Sequence, residues 1–315
     1  MDAITNDEKW LIVEDRFSAI PNSDFSLSNA VLLQKSNFEE NCTSETDRGT
    51  YMQGINSFKS ENNQLAILPD WTSLNVRLNA EQLDLATCEI LNYKRLLNMQ
   101  HGILERKFEV ITAEKNHIEV SVERLLSIVQ PEIGAIRFSV KSINFTGRIS
   151  FLPVINGEVN FNNSEDDNPE WNVLQSKTLS DVAHLWIQTR KTNFQVCEAM
   201  TYDLFKNNAQ IKYNPTKIEK QKVAGFSLVT DIKEGDTVCV YKFASILNSN
   251  AHSYNELTTL ACEKALQAKH TGWNELVDEN IHAWAAKWDS ITNNFDEPLS
   301  KEEIIKHYQQ ICSLK

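Results

Sequence analysis

The sequence has no closely spaced cysteines, no excess of basic charge and no long apolar run, and each absence removes a class of protein. The six cysteines, Cys42, Cys88, Cys197, Cys239, Cys262 and Cys312, lie far apart without a CxxC pair. Such scatter reads as reduced thiols in a cytosol, some of them small core residues, and not as a disulfide framework or a zinc site. Basic residues are outnumbered 31 to 43, which leaves a net charge of -12. Nucleic acids and anionic membranes are held by basic faces, so neither is expected as a partner. A neutral ligand such as a sugar is compatible with this charge. No segment approaches the ~20 apolar residues that span a bilayer. The first residues, MDAITNDEKW, lack the basic segment, apolar run and cleavage site of a secretory signal. A cytoplasmic protein is expected. The sequence also lacks GxSxG, Walker, GxGxxG and HExxH patterns, so spacing alone assigns no catalytic residue, no metal ligand and no cofactor.

What remains is an ordinary folding composition, 41% hydrophobic and 23% charged over 315 residues, enough for a sizeable core. The first three-quarters read as β. Residues 118–129 and 135–143 are rich in β-branched side chains, and Ile136, Phe138 and Val140 alternate with Arg137, Ser139 and Lys141. That period of two marks half-buried strands. Further strands are expected at 73–79, 148–154, 183–189, 194–205, 223–232 and 237–247. Glu234-Gly235-Asp236 reads as a hairpin turn between the last two, with Gly taking a positive φ. The acidic run 157–170 reads as a surface loop. Many short strands without intervening helices predict antiparallel sheets packed face to face. After Asn250 the period becomes helical. Helices are expected over 254–270, over 273–291 with a stripe from Trp273 to Ile291 that includes Trp284 and Trp288, and after Pro298. Ser300 and Glu303 there form a capping box, and the stripe of Ile304, Ile305, Tyr308 and Ile311 is expected to lie exposed and to favour self-association or a separate partner.

Few residues suggest chemistry. Glu39 and Glu40 follow Asn37-Phe38, but adjacent side chains of an extended segment point to opposite sides, so a solvated or domain-contacting loop is the simpler reading than an acid–base pair. His282 reads as a helix-surface histidine paired with the Asp278 carboxylate. Trp10, Trp71, Trp171 and Trp186 are candidates for sugar stacking, although a sandwich core also uses aromatics.

Several segments in order resemble the N-terminal domain of glycoside hydrolase family 65, the maltose, trehalose and kojibiose phosphorylases. Lys9–Asp15 resembles the opening strand of that domain. Residues 26–40 (SLSNAVLLQKSNFEE) and 49–54 (GTYMQG) resemble its following loop segments. Residues 69–76, 84–109 and 122–137 resemble its central strands, and 282–289 (HAWAAKWD) its linker helix. The resemblance implies a mainly β fold, a large two-sheet antiparallel sandwich over 1–250, with an α-helical linker over 251–315. It also implies that the (α/α)6 barrel bearing the general acid and phosphate site would follow, where this chain stops. The expected role is therefore a noncatalytic domain in the metabolism of α-glucosides, completed by a separately encoded barrel or assembled as a homo-oligomer, with inorganic phosphate a co-substrate of the full-length family and no other cofactor. A free-standing carbohydrate-binding protein, with an α-linked glucose disaccharide as ligand, and a degenerate remnant without ligand are the alternatives. Asn37, Phe38, Glu39 and Glu40 are the binding candidates, in the loop that would face the barrel. The family's Asn-Gly becomes Asn29-Ala30 here, and its later Gly and Arg fall at Leu33 and Lys35. That loss of positive-φ freedom predicts a different loop path.

Overall fold

The computed structural model describes residues 8–20, 22–44, 49–57, 65–158, 171–190, 192–211, 214–295 and 297–313. Most of the acidic run expected as a surface loop, 159–170, lies outside the described residues. The chain opens with β1 (Leu11–Glu14) and three short strands, β2 (Leu27–Ser28), β3 (Leu32–Gln34) and β4 (Thr50–Met52). Then follow β5 (Leu74–Leu78), β6 (Glu81–Gln82), β7 (Glu89–Asn98), β8 (Ile103–Ile111), β9 (His117–Leu126), β10 (Ile133–Ser142) and β11 (Gly147–Asn156). The remaining strands are β12 (Trp171–Thr178), β13 (Ala183–Thr189), β14 (Gln195–Lys206), β15 (Ala209–Gln210), β16 (Thr216–Lys220), β17 (Val223–Ile232) and β18 (Thr237–Asn248). Three helices close the chain: α1 (Leu257–Thr271), α2 (Trp273–Thr292) and α3 (Lys301–Cys312).

Ten strands form one large antiparallel sheet in the order β1-β7-β8-β9-β10-β18-β14-β13-β12, with β15 paired to β14. A second sheet runs β16-β17-β11-β5-β6, and β2-β3-β4 form a third, small one. The two-sheet antiparallel sandwich expected from the strand pattern is therefore present. Alternation explains it: on β10 the side chains of Ile136, Phe138 and Val140 are all buried while Arg137 and Ser139 are partly exposed. Buried faces of the two sheets meet through pairs such as Phe138 with Phe151 of β11, ring centroids 6.2 Å apart, and Tyr202 of β14 with Phe226 of β17, 5.1 Å apart.

One turn differs from its expectation. Gly235 has φ 85 and the tight turn forms, but β17 and β18 belong to different sheets and do not pair. The Gly235 amide instead donates to the Ser142 carbonyl at 3.0 Å, so this is a corner between the layers of the sandwich and not a hairpin. β17 pairs instead with β11 and β16, and β18 with β10 and β14.

The helices cover the outside of the large sheet and one end of it. Leu257, Ala261 and Ala265 of α1 are fully buried against Cys197, Ala199 and Leu247, and the alanines let the helix lie close to the strands. Trp288 of α2 donates its indole N–H to the Met99 carbonyl at 3.0 Å, and Asn280 donates to the His101 carbonyl at 2.7 Å while accepting from Ile128 N. The capping box forms at the start of α3, with Glu303 accepting from Ser300 N at 2.8 Å. The expectation that α3 lies exposed is corrected. Ile304 and Tyr308 are buried, Tyr308 stacks on Trp284 with centroids 5.3 Å apart, and Cys312 donates to the Ser28 carbonyl. The aromatic flank of α2 offers α3 a dry surface within its own chain, which takes Ile304 and Tyr308, while Ile305 and Ile311 stay partly exposed.

The Asn29-Ala30 position shows how the loop copes without glycine. Ala30 holds φ 69, a left-handed conformation that costs a non-Gly residue roughly 1–2 kcal/mol. Asn29 fixes it from both ends. Its side-chain Oδ1 accepts from Val31 N and Leu32 N at 3.1 and 2.9 Å, and its side-chain Nδ2 donates to the carbonyls of Ser127 and Pro131 at 2.7 and 2.9 Å. The loop thus keeps a positive-φ step where glycine would be expected, with the strain balanced by four hydrogen bonds.

Candidate functional site

The sequence candidates Asn37, Phe38, Glu39 and Glu40 come together in the interior. All four are at most 2% exposed, so the loop that bears them is not solvated. Residues 34–41 lie across the buried face of β7, β8 and β9, and three arginines rise from those strands to meet them. Arg106 of β8 binds both carboxylates through one guanidinium nitrogen, Glu39 at 2.7 Å and Glu40 more closely. Arg124 of β9 reaches Glu39 at 3.0 Å and the Asn37 carbonyl at 3.2 Å, and Arg95 of β7 donates to the Ser36 carbonyl. The Phe38 ring lies against the guanidinium groups of Arg106 and Arg95, at 4.9 and 5.6 Å from its centroid. Asn37 accepts from Gln34 at 2.6 Å and donates to Thr72 at 2.8 Å, and Thr72 in turn donates to Asp70 at 2.5 Å. The expectation that Glu39 and Glu40 diverge is corrected, because the chain bends at both residues and a single guanidinium draws the two side chains to one point.

The charges are set by this packing. Burial alone raises the Glu39 carboxyl, but Arg124 and Arg106 outweigh it and hold the group below its ordinary value. Burial raises Glu40, with Arg106 opposing and the neighbouring Glu39 charge adding to the rise. Arg95, held mainly by carbonyl and ring contacts, falls to about 10 through burial. Farther along the same sheet face, Lys242 of β18 donates to the carbonyls of Ser73 and Val154 at 2.9 and 2.7 Å, tying the two sheets together, and burial lowers it to about 7. Glu198 of β14 is fully buried and lifted well above the carboxylate range by burial and by Asp70. Glu39, shielded from solvent and ion-paired on both oxygens, has no path by which to pass a proton to a substrate.

Sequence reasoning found the loop and missed its partners. The signal was present: Arg106 stands between Leu104 and Phe108, Arg124 between Val122 and Leu126, Lys242 between Val240 and Ala244, and Glu198 between Val196 and Met200. Each is a charge at the apolar parity of its strand, where only a paired or hydrogen-bonded ion is tolerated. His282 lies on the surface of α2, but its ring meets the Asp278 backbone carbonyl at 2.7 Å and not the carboxylate. Trp71 and Trp171 are buried, the latter donating to the Ile67 carbonyl at 3.0 Å, and Trp10 packs edge-on against Trp288, 4.7 Å between centroids. Trp186 packs beside α1. These four are core and packing residues in this fold. All six cysteines are free thiols, and among the described residues no cluster of three or more His, Cys, Asp or Glu is placed to hold a metal ion. Among the described residues no helix is long and apolar enough to cross a membrane.

Comparison with known proteins identifies the family of this fold. The profile of glycosyl hydrolase family 65, N-terminal domain, covers residues 12–287. The α,α-trehalose phosphorylase of Thermoanaerobacter brockii is 28% identical over 89% of this chain and 39% of its own length. The kojibiose phosphorylase of Caldanaerobacter subterraneus subsp. tengcongensis is 23% identical over 94% of this chain and 40% of its own. Among solved structures, a human-microbiome protein assigned as a kojibiose phosphorylase superposes with a TM-score of 0.76 at 18% identity, over 89% of this chain and 38% of that one. The chain thus spans about two fifths of the length of the curated relatives it matches. With a profile match over most of its length and a sandwich of the same fold, the chain belongs to the N-terminal domains of glycosyl hydrolase family 65.

Proposed function

We propose that this chain is a noncatalytic sandwich domain of carbohydrate metabolism that works in the cytosol beside a catalytic barrel acting on an α-linked glucose disaccharide. The names of the relatives support the substrate class, since they are phosphorylases of trehalose, kojibiose and maltose. The free thiols suit a reducing compartment. The observation that carries the reading is the Glu39–Arg106–Glu40 cluster. The one adjacent carboxylate pair of the candidate loop is consumed by ion pairs inside the domain, so it holds the loop in place and is not poised for acid–base work. In this reading Asn37 and Phe38 shape the loop, which presents its neighbouring surface to the barrel.

The test is phosphorolysis. The purified chain, incubated with inorganic phosphate and maltose, trehalose, kojibiose or nigerose, releases no glucose 1-phosphate. Turnover that survives rigorous purification and disappears when a residue of this chain is changed would overturn the proposal.

A further inference from the structure

We infer that the outer face of the large sheet carries a saccharide-binding cleft where α1 gives way to α2. This goes beyond the role proposed above and does not depend on it, because the cleft lies on the opposite face of the sheet from Lys242 and the buried cluster. Asp203 and Phe205 of β14 and Tyr241 and Phe243 of β18 share that outer face, and Asp203 and Tyr241 are direct cross-strand partners. Helix α1 covers the face only as far as Thr271. Gly272, at φ 83 with nothing within 4 Å of where a Cβ would stand, turns the chain straight into α2. Beyond that turn lies a cleft of about 330 Å³ floored by Tyr241, Phe205 and Trp273, within the usual range for a small-ligand site.

The walls divide into two kinds of chemistry. The floor is aromatic: Phe205 meets Tyr241 edge-on at 5.3 Å, Trp273 lies 6.3 Å from Tyr241, and the Phe205 and Tyr241 rings are partly exposed. The rim is polar. Asp203 is held in position by Lys269 at 3.2 Å and Gln210 at 3.0 Å, and Asn274 and Glu275 stand exposed on the first turn of α2. That helix has no side-chain N-cap, so its first-turn amides add backbone donors at the same rim. A pyranose matches both halves: its C–H face covers an aromatic ring, and its hydroxyls donate to carboxylates while accepting from amides. An anionic ligand would meet Asp203 and Glu275, and a wholly apolar one would leave both carboxylates desolvated without partners. The cleft therefore suits a neutral oligosaccharide.

Calorimetric titration with maltotriose, with glycerol as a small polyol control, tests this directly. Maltotriose is expected to bind and glycerol to give no heat. Asn274→Trp fills the cleft from an exposed position, and Tyr241→Ala removes its platform. Each is expected to weaken maltotriose binding by about tenfold or more, equivalent to about 1.4 kcal/mol, with Asp203→Asn weakening it less. If Tyr241→Ala does not fold, Asn274→Trp alone decides the matter, since its backbone position is solvent-facing. An absence of heat with maltotriose, or binding that Asn274→Trp leaves unchanged, overturns the proposal. So does a heat shown by light scattering to be a change in self-association of the chain.

Discussion

At the scale of single residues, the cluster under the 34–41 loop is held by compensation. Arg106 offsets two buried carboxylates, and breaking a buried pair from one side is far more costly than removing it whole. Ala30→Gly should act in the other direction. Relief of the left-handed strain at φ 69 exceeds the extra freedom that glycine gives the unfolded chain, so a gain of about 0.5–1 kcal/mol is expected, read as a higher midpoint in urea. Glu198 gives a pH signature. Its folded carboxyl is raised well above 4.5 by burial and by Asp70. The stability it contributes is therefore complete below its unfolded value and is lost as pH rises through the folded one. Glu198→Gln, which cannot lose a proton, should gain stability relative to the parent chain as pH rises from about 5 upward. A difference between the two chains that stays flat across that range would show that Glu198 is ionised when folded.

At the scale of elements, the end of the sandwich is sealed by aromatic contacts between segments distant in sequence. Gly102 turns the chain between β7 and β8 at φ 65, and a Cβ there would stand 2.2 Å from the Trp284 indole nitrogen. Trp284→Ala should destabilise the protein by about 3–5 kcal/mol because it leaves a cavity under Tyr308 and Gly102. Gly102→Ala should destabilise it too, by steric conflict with the same ring, and thermal unfolding measures both. Strand periodicity made most of the sheet legible: the expected 183–189 and 223–232 coincide with β13 and β17, and 135–143 with β10 to within two residues. Three helices and a capping box were also legible, because local spacing and caps determine them. What was not legible depended on contacts between remote segments. The 234–236 turn has hairpin chemistry, yet the sheets to which its flanking strands belong are chosen by distant partners. The α3 stripe cannot announce from its own residues that Trp284 and Trp288 wait to receive it. The Glu39–Glu40 pair was visible, while its two arginine partners, Arg106 and Arg124, 66 to 85 residues away, were signalled only by charge at apolar parity.

At the scale of the whole molecule, the sandwich buries its charges in the half where the N-terminal loops lie over β7, β8 and β9. In the other half, where the second sheet packs, the core is mainly apolar and encloses Lys242 and Glu198. The outer face of the large sheet is left to the helices and to the cleft beside Gly272. In the proposed reading the candidate loop is structural and the ligand cleft lies on the opposite face. The central claim is that Glu39 and Glu40 hold the domain together through Arg106 and perform no chemistry of their own. The most direct measurement is urea unfolding of Arg106→Met in the parent chain and in a chain that also carries Glu39→Gln and Glu40→Gln. The account predicts a loss of about 3–5 kcal/mol for Arg106→Met alone, where Glu40 is left buried without its ion partner and Glu39 keeps only Arg124, and a much smaller loss when both carboxylates have been neutralised. Equal losses in the two backgrounds, or no loss in the parent chain, would contradict it.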